Sequence, residues 1–65
     1  MGNLIEGIQS QMNRCREVLK IYEQVPQGGF GTMMIKQSIA AAEKSIASGD
    51  VIEMLKCYKD LEDIE

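Results

Sequence analysis

Apolar positions recur at helical spacing along nearly the whole chain. Leu4, Ile8, Met12, Cys15, Leu19 and Tyr22 follow one another at intervals of four, four, three, four and three residues. That spacing traces one stripe down about six turns of an α-helix. Ile5, Val18, Ile21 and Val25 widen the stripe, and Gln9, Asn13, Arg16, Lys20 and Glu23 occupy the opposite face. The pattern predicts a helix over about residues 3–24, ended by Pro26 because the residue before a proline is pushed out of the α region.

A second stripe follows after a break. Ile35, Ile39, Ala42 and Ile46, flanked by the small residues Ser38, Ala41 and Ser45, predict a helix over about residues 32–48 with Thr32 as a cap. Gly49 has the place of a left-handed C-cap, and Asp50 with Glu53 three residues on has the spacing of a capping box. A third helix is expected over about residues 51–64, with Val51, Met54, Leu55, Tyr58, Leu61 and Ile64 inward. The expected fold is all-α and a single domain over residues 1–65: one long helix followed by a short antiparallel helical hairpin.

Two features of this arrangement point to self-association. A domain of 65 residues buries only about 60% of the surface its unfolded chain exposes, so its margin of stability is thin. A first helix longer than its partners would also leave the stripe from Leu4 to Met12 projecting. A homodimer or higher oligomer is therefore expected through the long helix, with Ile5, Ile8 and Met12 in the contact. Of the adjacent pair Met33 and Met34, only one can point inward.

Composition narrows the chemistry. There is no histidine, the two cysteines Cys15 and Cys57 stand far apart inside helical patterns, and no carboxylate cluster lies outside the third helix. Neither a metal set nor a nucleophile–base pair is present in the pattern, so no catalytic residue, metal or cofactor is expected and the protein reads as a non-enzyme. The thiols read as reduced core residues. Net charge is −3, which argues against nucleic-acid binding by phosphate neutralisation. No segment has the roughly 18 apolar residues of a membrane span, and the first residues lack a secretory pattern, so a cytoplasmic location is expected.

The break between the first two helices holds Pro26-Gln27-Gly28-Gly29-Phe30-Gly31-Thr32, three glycines and the only phenylalanine. Two readings stay open. In one, Gly28, Gly29 and Gly31 present backbone N–H groups at a helix start, Phe30 offers a stacking face, Thr32 a hydroxyl, and Lys36, Arg16, Lys20 and Tyr22 approach from either side. That set suits a small anionic ligand with a ring, such as a nucleotide. In the other, Phe30 plugs the open end of the bundle and the glycines only let the chain turn around it.

The run Phe30-Gly31-Thr32-Met33-Met34-Ile35-Lys36-Gln37-Ser38-Ile39, with Arg16-Glu17-Val18-Leu19 before it and Ala42-Glu43-Lys44, Ser48-Gly49-Asp50-Val51 and Met54-Leu55 after it, resembles small helical proteins encoded by phages and prophages. The resemblance covers most of the chain. It implies an anti-defence setting in the host cell cytoplasm, where such proteins sequester a signalling nucleotide between subunits or cap a host protein, and it carries no residue assignments. The two functions expected are therefore an oligomeric binder of a small anionic ligand and, alternatively, a protein-interaction module that docks on and inhibits a host protein.

Overall fold

The computed structural model describes residues 3–64, which form three α-helices: α1 over Asn3–Glu23, α2 over Gly29–Ser48 and α3 over Val51–Glu62. Among the described residues there is no strand. The helices form an elongated bundle with extents of 40 × 17 × 15 Å. Ion pairs mark the antiparallel run of α1 and α2: Arg16 meets Glu43 at 3.2 Å and Glu23 meets Lys36 at 3.9 Å, so one number falls as the other rises.

The core is built from the expected stripes. Ile8, Met12 and Cys15 of α1, Ile35, Ile39 and Ala42 of α2, and Met54, Cys57 and Leu61 of α3 are buried together, with Leu4, Val18, Leu19, Tyr22, Ile46, Tyr58 and Ile64 half-buried around them. Ser45 is buried as well, at no cost in unpaired polar atoms, because its hydroxyl donates to the Ala42 carbonyl at 2.7 Å. Both cysteines are free and buried.

The α2–α3 junction has the expected left-handed glycine and the Asp50 half of the expected capping box, while the Glu53 carboxylate pairs with Lys56 at 3.7 Å. Gly49 holds φ 72°, the left-handed conformation that costs other residues about 1–2 kcal/mol, and its N–H donates to the Ser45 and Ile46 carbonyls at 3.0 and 3.2 Å. The Asp50 carboxylate accepts the Glu53 N–H at 3.2 Å and so caps α3. At the other end of α3, the Arg14 guanidinium donates to the Leu61 carbonyl at 2.6 Å and to the Glu62 carbonyl at 3.4 Å. A cation there meets the negative end of the helix dipole, and at Leu61 it joins a carbonyl that also accepts the Ile64 N–H at 3.2 Å.

Several expectations need correction. Helix α2 starts at Gly29, three residues earlier than expected, and Thr32 lies inside it, its N–H donating to the Gly28 carbonyl at 2.8 Å. Gly28 takes the cap position instead, at φ −86° and ψ 6°. The earlier start makes α2 20 residues long against 21 for α1, so α1 does not outrun it. The stripe from Leu4 to Met12 does not project either, because α3 lies along it: the Tyr58 ring sits beside Gly7, and Met54, Cys57 and Leu61 share the core with Ile8, Met12 and Cys15. Ile8 and Met12 are 0% and 5% exposed within the single chain and cannot form the expected contact with a second one; of the three interface residues only Ile5, 36% exposed, reaches solvent.

The inward set of α3 is narrower than expected too. Val51 and Leu55 are more than half exposed, as is Ile52 between them, because α1 and α2 cover only the side carrying Met54, Cys57 and Leu61. Met33 and Met34 both face outward, since the core side of α2 at this level is already taken by Gly31 and Ile35.

Candidate interaction surface

Helix α3 is the short one, and its end sets the shape of the molecule. With 12 residues against about 20 in its partners, it stops level with Arg14 of α1, which touches its last carbonyls. Nine residues of α1 run on beyond that point, about 14 Å at 1.5 Å per residue. On α2 the corresponding level is marked by Met34 and Ser38, which line an open surface groove with Asp60, Asp63 and Ile64. Past this level the three-helix bundle becomes a two-helix hairpin.

Apolar side chains continue along the uncovered flanks. On α1 the stripe that starts at Arg14 continues through Val18 and Ile21 at helical spacing, and Val25 follows in the turn. On α2 the stripe that passes Ser38 beside α3 extends back through Met34 and Phe30. Ile21, Val25, Phe30 and Met34 are 63, 49, 72 and 49% exposed. Together they flank a slot in line with α3, where a longer third helix would have lain. Its floor is Tyr22 packed on Gly31: a Cβ at Gly31 would overlap the Tyr22 ring. Met33, half exposed, stands on the other side of α2.

Of the residues expected at a ligand site, the structure gathers Tyr22, Gly28, Gly29, Phe30, Gly31 and Thr32 around this end. Arg16 is elsewhere. It pairs with Glu43, 14 residues along α2 from Gly29, about 21 Å away along the helix axis. Lys20 pairs with Glu17 at 3.2 Å and Lys36 with Glu23 at 3.9 Å, so the basic residues meet carboxylates of their own chain rather than converging on the glycines. These pairs are exposed and correspondingly weak.

Phe30 does not plug the bundle, being 72% exposed at the first turn of α2. The glycines have two separate reasons. Gly28 and Gly31 are places of close approach, to the Tyr22 carbonyl and the Tyr22 ring respectively, while a Cβ at Gly29 would meet nothing within 4 Å. None of the three holds positive φ. The start of α2 is electropositive in a plain way: its cap residue has no side chain to accept an N–H, and its first turn holds no acidic residue.

Sequence reasoning placed the exposed apolar surface at the wrong end. The signal that would have found the right one was the length of α3, because a 12-residue helix cannot cover hairpin partners of 20. A smaller apolar patch of Val51, Ile52 and Leu55 lies near the start of α3. Among the described residues no group of three histidine, cysteine or acidic side chains is arranged to hold a metal, and no helix is long and apolar enough to cross a membrane. Comparison with protein-family models, curated proteins and solved structures gave no match.

Proposed function

We propose that this protein is a non-enzymatic interaction module that recognises another protein through the uncovered end of its α1–α2 hairpin. The observation that carries the reading is the slot itself: four large apolar side chains, each about half exposed or more, grouped on facing flanks rather than scattered. Contiguous apolar surface of this kind marks protein contacts more often than small-molecule sites, which are concave and enclose their ligand. In the phage setting that the sequence resemblance implies, the recognised protein belongs either to the phage or to the host.

Sequestration of a small anionic ligand is the second reading, favoured by one feature, the uncapped start of α2 beside Tyr22 and Phe30. It is the weaker of the two because Arg16, Lys20 and Lys36 do not converge on that point.

A photo-crosslinking residue placed at Phe30, with a control at Gln9 on the polar face of α1, separates the readings. Adducts of protein mass from position 30 alone support recognition of a protein. Absence of any such adduct, together with stabilisation by phosphate or nucleotides in thermal melts, favours the ligand reading. A ligand at 100 times its dissociation constant would contribute about 2.7 kcal/mol.

A further inference from the structure

We draw no further inference here: the strongest candidate, the apolar slot flanked by Ile21, Val25, Phe30 and Met34 at the uncovered end of the α1–α2 hairpin, belongs to the surface already described, and nothing in the structure shows what covers it.

Discussion

The Tyr22 ring lies where a side chain at Gly31 would have to be. This one contact explains much of the loop. Tyr22 closes the floor of the hairpin, and only a residue without a Cβ lets α2 begin beside it. Gly28, whose missing Cβ would press on the Tyr22 carbonyl, lets the turn close onto the same residue.

The three loop glycines should therefore behave differently. Gly29→Ala is expected to stabilise by a few tenths of a kcal/mol up to about 1 kcal/mol, because the position is helical and open. Gly31→Ala is expected to destabilise by about 1–3 kcal/mol despite its better helix propensity, through overpacking against Tyr22. Adding Tyr22→Ala to Gly31→Ala should remove that overpacking penalty. Gly28→Ala is expected to cost at least as much as Gly31→Ala, since backbone yields less readily than a ring. Urea denaturation of the variants checks the order.

At the junction of α2 and α3, Gly49→Val is expected to cost more than the ~1 kcal/mol of an ordinary helix-propensity change, because Val resists the left-handed conformation seen there. Gly49→Asn should be milder. Asp50→Ala is expected to cost about 0.5–2 kcal/mol through the lost cap on Glu53. Melting curves that coincide with the parent for both Gly49→Val and Asp50→Ala would contradict the junction described here.

Cys15 supplies a pH dependence. Burial pushes its thiol above the ordinary value, against a smaller opposing pull from Arg14, and its Sγ lies 3.5 Å from the Leu61 carbonyl, to which it donates. The folded state thus holds the proton that the unfolded chain releases first. Its contribution to stability is complete below the ordinary thiol pKa and declines as pH rises above it, from about pH 9 upward. Stability measured by urea at rising pH should fall in this range, and Cys15→Ala should flatten the part of the fall due to the thiol. Thiol reagents should label native Cys15 slowly, at a rate that follows unfolding.

The helical parts of the fold were legible because each stripe repeats at helical spacing, and the Gly49–Asp50 junction because its residue types serve only that geometry. The start of α2 was not legible. Gly29 and Gly31 carry a poor helix propensity, and what accounts for the glycine at 31 is a tertiary contact with the Tyr22 ring that no local pattern contains, whereas position 29 is open. The exposure of Val51 and Leu55 escaped for a similar reason: periodicity marks an apolar face, but how much of it is covered depends on where the neighbouring helices end. Phe30 read equally well as a plug or a stacking face, and its 72% exposure fits neither a plug nor an enclosed site.

Amide hydrogen exchange with and without the protein captured by crosslinking at position 30 tests the central claim most directly, because it reports where the recognition surface lies as well as whether it is used. Adding that protein is predicted to slow exchange selectively at the end of α1 and the start of α2, over residues 18–34, and at residues 60–64 beside the slot, while the Gly49–Asp50 end stays unchanged. Exchange that the added protein leaves unchanged throughout, or protection that gathers instead around Ile5 and the start of α1, would contradict the account.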